Sequence, residues 1–274
     1  MTRRRSRMFG TLAVVVLLVV AGVAPAVATA DADAESGTTD DDSWTTLPTH
    51  SDGATETPTP EEEAVLHQRG IVSRNDEPGS VSLTFAYEIP SAVTDLRVAV
   101  PVVGLDGIMV EGMDGFDRTE RGYFRWDGET ERPTVSIRMA VGDSIDSDVR
   151  GVERDDWAFV SEPQTRVQVR TDARPLQTSS FEVADDEQGY ARSHLAYLGP
   201  HERRNETVGD ERATFVLARE DATPERAISF LRTANEHFDL GIQRDSVTVF
   251  VLPLTEQETE NIEAATVDTA FWVG

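Results

Sequence analysis

The chain has 274 residues and carries 50 Asp plus Glu against 25 Lys plus Arg, a formal net charge of −25. Every one of the 25 basic residues is arginine, and lysine and cysteine are both absent. The charge makes nucleic acid a poor partner, because a phosphate backbone would be repelled, and the lack of cysteine excludes a disulfide framework and thiolate chemistry.

Self-repulsion of this size opposes a compact state in ordinary buffer. In molar salt the Debye length falls to about 3 Å and the repulsion is screened. A lysine-free acidic surface of this kind resembles proteins of extreme halophiles.

Residues 1–30 read as an export segment. Arg3, Arg4, Arg5 and Arg7 precede the uncharged run FGTLAVVVLLVVAGV, and APAVATADADA then offers small-residue cleavage sites around Ala28 and Ala30. The consecutive arginines fit twin-arginine export loosely. The rival reading is an uncleaved N-terminal membrane anchor, since the apolar stretch approaches the ~20 residues that span a bilayer. Cleavage after Ala30 removes four arginines and no acid, which leaves 21 arginines against 50 carboxylates and a charge of −29. The expected location is extracellular or at the cell surface.

Residues 31–63 are rich in Asp, Glu, Thr, Ser and Pro, and only Trp44 and Leu47 are large and apolar. Such a tract buries too little surface to offset its ordering entropy, so a disordered acidic tether is expected. The run Asp40-Asp41-Asp42 reads as solvated rather than as a cation site.

Residues 64–172 have a period of two. Val81, Leu83, Phe85 and Tyr87 share one face, as do Val135, Ile137, Met139 and Val141. DLRVAVPVV, GIMVEGM, GYFRW, DWAFV and TRVQVRT supply further short strands, and Asp106-Gly107, Asp114-Gly115 and Asp127-Gly128 stand at hairpin spacing. The pattern predicts an antiparallel β-sandwich.

Residues 173–274 are mixed. SHLAYLGP and ATFVLA read as strands around a polar turn, and Asn205-Glu-Thr207 is a glycosylation sequon. Thr223 can cap a helix that starts at Pro224, carries the stripe Ala227, Phe230, Leu231, Ala234 and Phe238, and stops at Gly241. DSVTVFVLP then reads as a strand buried on both faces, TEQETENIEAA as a polar helix or loop, and TAFWV as a last strand. The fold class expected for the whole is α+β, mainly β, with a small and apparently incomplete α/β segment after the sandwich.

No catalytic, cofactor or metal residue is assigned. His50, His67, His194, His201 and His237 match no zinc spacing, although His194 and His201-Glu202 flank LAYLGP and could converge with a carboxylate. Asp143, Asp146 and Asp148, and likewise Glu182, Asp185, Asp186 and Glu187, are oxygen-rich clusters without the spacing of a calcium loop. In so acidic a chain, solvated surface explains them better. Trp126, Trp157 and Trp272 read as core or sheet residues.

ERAISFLRTANEHFDLG, DSVTVFVLP and AFWV together resemble the run-up to the active site of gluzincin-type zinc metallopeptidases of the aminopeptidase pattern, with secreted halophile proteins the nearest in character. VAVPVVGL and GYFRWDGETERPTVSIRM are similar to the β-sandwich that precedes that catalytic domain. The resemblance implies that a zinc helix bearing His-Glu-x-x-His would follow Gly274, that zinc is expected only there, and that residues 64–274 are inactive by themselves. The alternative is a complete tethered cell-surface module that binds a protein or a cell-wall component.

Overall fold

A computed structural model describes residues 15–19, 44–47, 50–51, 63–100, 108–119, 123–142, 151–163, 165–208, 211–218, 225, 228–229, 247–252 and 270–273. They are mainly strand. In chain order these are β1 (Val15–Val19), β2 (Thr45–Leu47), β3 (His50–Ser51), β4 (Glu63–Arg74), β5 (Ser80–Glu88), β6 (Val93–Ala99) and β7 (Ile108–Asp114). Then come β8 (Phe116–Arg118), β9 (Phe124–Trp126), β10 (Thr134–Ala140), β11 (Gly151–Glu153), β12 (Ala158–Ser161), β13 (Arg166–Thr171) and β14 (Arg174–Val183). The last are β15 (Gly189–Arg192), β16 (Leu195–Leu198), β17 (Glu202–Val208), β18 (Glu211–Leu217), β19 (Val247–Leu252) and β20 (Ala270–Val273).

The chain divides into two compact units, and residues 21–144 and 148–200 make up the larger. It contains three sheets, in the orders β3-β14-β4-β5-β10-β7, β2-β13-β6-β9-β8 and β11-β12-β16-β15. One cluster of buried side chains draws on all three, including Leu66, Leu83, Phe85, Val98, Phe124, Ile137, Val160, Val169 and Leu198. The period-two pattern explains this: alternate residues of β5, from Val81 to Tyr87, turn inward and are fully buried, while the residues between them stay partly exposed.

Most pairing is antiparallel, with one departure from expectation. The sheet of β4 is mixed, because β14 runs parallel to β4 over ten residue pairs, from Arg174↔Glu63 to Val183↔Val72, and parallel to β3 as well. Thr45–Leu47, within the tract read as a tether, pairs with β13 and buries Leu47. An apolar side chain within a polar tract anchors one short edge strand there.

The Asp-Gly turns also play a different part from the hairpins expected. β7 pairs with β10 and β8 with β9, so Asp114-Gly115 carries the chain from one sheet to another, and Asp127-Gly128 carries it back. Asp127 organises the second turn: its Oδ1 accepts from the amides of Glu129 and Thr130, and its Oδ2 accepts from the Thr130 hydroxyl. Those bonds hold its carboxyl below the usual range. Asp106-Gly107 lies outside the described residues.

The smaller unit comprises residues 1–20, 145–147 and 201–274. Its sheet has the order β17-β18-β19-β1-β20. β19 is interior and Thr248 to Leu252 are buried, as the apolar run predicts. β18 and β19 are parallel, which demands a crossover connection between them. Within that connection Glu225, Ile228 and Ser229 are helical, and the rest of the helix expected from 224 to 241 lies outside the described residues. Val15–Val19, inside the apolar run read as an export segment, is an extended strand between β19 and β20. No helix among the described residues is long and apolar enough to cross a membrane.

Gly115 and Gly128 separate two costs of a side chain. Both have positive φ, 70° and 81°, but a Cβ on Gly115 would stand 2.5 Å from Thr130 Cβ, whereas one on Gly128 would meet nothing within 4 Å. Gly128→Ala is therefore expected to lose about 1 kcal/mol, the left-handed strain alone. Gly115→Ala should lose about 3 kcal/mol, because overpacking adds to it. Chemical denaturation in molar KCl measures both, and equal losses would refute the packing argument.

Candidate functional site

The candidate site begins where β12 runs out. Glu162 continues the β12–β16 ladder, its amide donating to the His194 carbonyl at 2.7 Å. His194 and Ser193 form the two-residue turn between β15 and β16, and Ser193 takes a left-handed φ of 55°. That turn brings the imidazole back over the ladder, where Nδ1 lies 3.0 Å from Glu162 Oε2. The histidine side chain is 38% exposed and the glutamate only 4%. The pair thus joins a buried carboxyl to an imidazole that reaches solvent.

Room for the carboxyl comes from β4. A Cβ on Gly70 would stand 2.6 Å from Glu162 Oε1 and 3.0 Å from Phe181 Cδ2, so a side chain there would displace the carboxylate. Two places along β4, Gln68 turns inward and is buried; its Oε1 accepts from the Thr165 hydroxyl at 2.7 Å and from Gln177 Nε2 at 3.0 Å. Tyr87 stands opposite Gln68 on β5 and is fully buried. The result is a polar interruption in an apolar core, built from β4, β5, β14 and the segment between β12 and β13. Among the described residues the Tyr87 hydroxyl, Glu162 Oε1 and Gln177 Oε1 have no hydrogen-bond partner.

Burial governs the electrostatics. Loss of solvent pushes the Glu162 carboxyl above its ordinary value of 4.5, against the hydrogen bond and charge of His194. The Tyr87 phenol is also raised, first by burial and then by the Glu162 charge. A buried acid with a raised pKa beside an imidazole can take up and pass a proton, and such groups concentrate at functional sites. Buried ion pairs that only close a structure have the same signature. The arrangement can hold a proton or a hydrogen-bonding ligand.

Few of the residues singled out in the sequence meet here. His194 does, with Glu162 as its carboxylate rather than Glu202. Glu202 instead accepts from Arg204, at 2.8 and 3.1 Å, and belongs with His201 to the smaller unit. His67 is exposed on β4, its Nδ1 2.6 Å from the Thr178 hydroxyl. The Glu182 cluster disperses: Glu182 accepts from Arg69 Nε at 2.8 Å, Glu187 accepts from the Arg74 amide at 3.4 Å, and Asp185 and Asp186 are exposed. No group of three metal-ligating side chains occurs among the described residues. His237, Asp40 to Asp42, Asp143, Asp146 and Asp148 lie outside them.

Asn205 is exposed on β17, its Oδ1 accepting from the Thr214 hydroxyl at 3.0 Å. Trp157 is buried and stacks on Tyr197 with ring centroids 5.9 Å apart, and Trp126 Nε1 donates to the Thr130 carbonyl at 2.8 Å. Trp272 lies on β20 at the edge of its sheet.

No protein-family profile matches the chain. No curated protein matches it either. Among solved structures, the chain is similar to an aminopeptidase N family protein from Idiomarina loihiensis, at 9% identity and a TM-score of 0.35. That alignment covers 68% of this chain and 42% of the other, so the chain spans less than half the length of that relative.

The raised pKa of Glu162 has a thermodynamic consequence. A folded-state value above the unfolded one adds stability that is complete below 4.5 and is lost as pH climbs through the folded value. Glu162→Gln removes the titration and keeps an acceptor for His194. Its melting temperature relative to the parent should therefore rise as pH increases from about the ordinary carboxylate range to neutrality. Thermal unfolding in molar KCl across that range checks this; a difference that does not change with pH would show that the carboxyl is already ionised.

Proposed function

We propose that this chain is an exported, salt-adapted β module that forms the non-catalytic front part of a gluzincin-like metallopeptidase. In this reading the larger unit, which runs to residue 200, holds the β-sandwich part, and residues 201–274 hold the start of the catalytic domain. Residues 1–30 direct export, and the acidic surface keeps the protein soluble in molar salt. The observation that carries the reading is the parallel pairing of β18 with β19, from Ala213↔Val247 to Leu217↔Val251, across a connection that holds the helical residues Glu225, Ile228 and Ser229. The resemblance calls for a helix, a buried strand and an edge strand ahead of a zinc helix, and a helical crossover into the buried strand β19 is in keeping with that order.

Zinc chemistry in this family type needs two histidines one turn apart with a general-base glutamate. The sequence contains no His-Glu-x-x-His. Here the β module contributes surface and stability, and the reaction belongs to residues this chain does not supply. A second reading, a tethered module that binds a partner at the cell surface, is favoured by a face of clustered arginines and aromatic rings on the sheet of β6.

The purified chain in molar KCl, supplied with zinc and a panel of short peptides, should show no turnover. Peptide hydrolysis that a chelator abolishes would overturn the reading.

A further inference from the structure

The outward face of the sheet β2-β13-β6-β9-β8 reverses the charge balance of the chain. Register places Thr46, Gln168, Arg97, Arg125 and Asp117 in one row across all five strands. Arg170 and Asp95 are paired on one side of that row, and Arg166 and Ala99 on the other. Four arginines and two aspartates thus share a face, in a protein with 50 acids to 25 bases.

Three of the four guanidinium groups, those of Arg97, Arg170 and Arg125, are held in place. Arg97 lies over Trp44 at 4.3 Å and Tyr123 at 4.9 Å, and Arg170 lies over Trp44 at 4.4 Å. Arg97 Nε donates to Gln168 Oε1 at 2.5 Å, and Gln168 Nε2 donates to the Thr46 hydroxyl at 2.9 Å. Arg125 makes a two-pronged contact with Asp95, at 3.2 and 2.6 Å, and keeps 54% of its side chain exposed. Planar forks fixed by stacking lose little freedom when they take a carboxylate.

Trp44 stands at the rim of this face, and the residues that lead into it are acidic. Residues 31–42, outside the described part, carry Asp31, Asp33, Glu35, Asp40, Asp41 and Asp42 and no base, and only Ser43 separates them from Trp44. At 3.3–3.6 Å per extended residue, Asp40 to Asp42 fall within about 14 Å of the Trp44 backbone, or roughly three strand spacings. We propose that the occupant of the arginine face is the chain's own acidic stretch, residues 31–42, with its carboxylates on the guanidinium groups of Arg125 and Arg166.

In molar salt long-range attraction is gone, so only pairs in direct contact count. Each exposed pair contributes little, too little to hold a free peptide. A tether of one residue supplies an effective concentration of about millimolar or above, which lets several weak pairs hold together. The face is then masked by its own chain, and any acidic partner must displace residues 31–42 to use it. This goes beyond the metallopeptidase reading and stands whether or not that reading is right.

The test follows arginine reactivity by mass spectrometry. The full chain, and a variant with Asp31, Asp33, Asp40, Asp41 and Asp42 changed to Asn and Glu35 to Gln, are treated with phenylglyoxal in molar KCl. Arg125 and Arg166 should react several-fold faster in the variant, while Arg132 and Arg138, paired with Glu88 and Glu77 elsewhere, react at unchanged rates. A synthetic peptide of residues 31–43 added in excess should restore the slow rate in the variant. Equal rates in the two proteins would overturn the proposal. So would protection of the full chain that disappears on dilution, since the occupant would then be a second copy.

Discussion

The larger unit depends on the two-sided hydrogen bonding of β4. This strand pairs antiparallel with β5 from His67↔Glu88 to Arg74↔Val81, and parallel with β14 along ten residue pairs. Its period of two then fixes what enters the core: Ala64, Leu66, Gln68, Gly70 and Val72 turn inward. A slip of one residue would bury Arg69 and expose Leu66, so the register is set firmly. The glutamine and glycine in this inward row create the polar interior: Gln68 collects two hydrogen bonds, and Gly70 leaves the volume that Glu162 fills. A wholly aliphatic row would pack more simply and would have no place for the carboxyl.

Charge is distributed in a way that suits concentrated salt. Arg138 bridges Glu77 and Glu111, and Arg69 reaches Glu182, all at exposed or half-exposed positions. Such pairs contribute little individually. What they do is place guanidinium groups among carboxylates without burying either. Glu162 differs from these pairs, being a carboxyl inside the core, and its burial is tolerated because His194 supplies a partner at the surface. The arginine face of the β6 sheet departs in another way: bases outnumber acids on it.

The strands were legible in the sequence because their inward residues alternate so cleanly. Val81 to Tyr87 and Val135 to Met139 are buried at the positions the pattern marks, and the unbroken apolar run of β19 lies inside its sheet. Pairing was not legible. Nothing local tells β14 to run parallel to β4 across more than a hundred residues, or Asp114-Gly115 to change sheets rather than close a hairpin. Leu47 was visible as a lone apolar residue, but its anchoring of β2 depends on Val167 and Val169 far along the chain. Glu162 was hidden for another reason: one carboxylate among 50 acids carries no signal, and only its place one residue after the apolar run Trp157–Val160, ahead of Pro163, set it apart.

If β4 ties three sheets to one core, those sheets should open together. Amide hydrogen exchange on the full chain in molar KCl tests this most directly. Val72, Leu83, Val98, Val160 and Leu198, drawn from all three sheets, should share one slow exchange free energy, equal to that of global unfolding of the larger unit. Earlier exchange of Val160 and Leu198, through a separate opening of the β11-β12-β16-β15 sheet, would contradict the single core and remove the scaffold on which Glu162 and His194 meet.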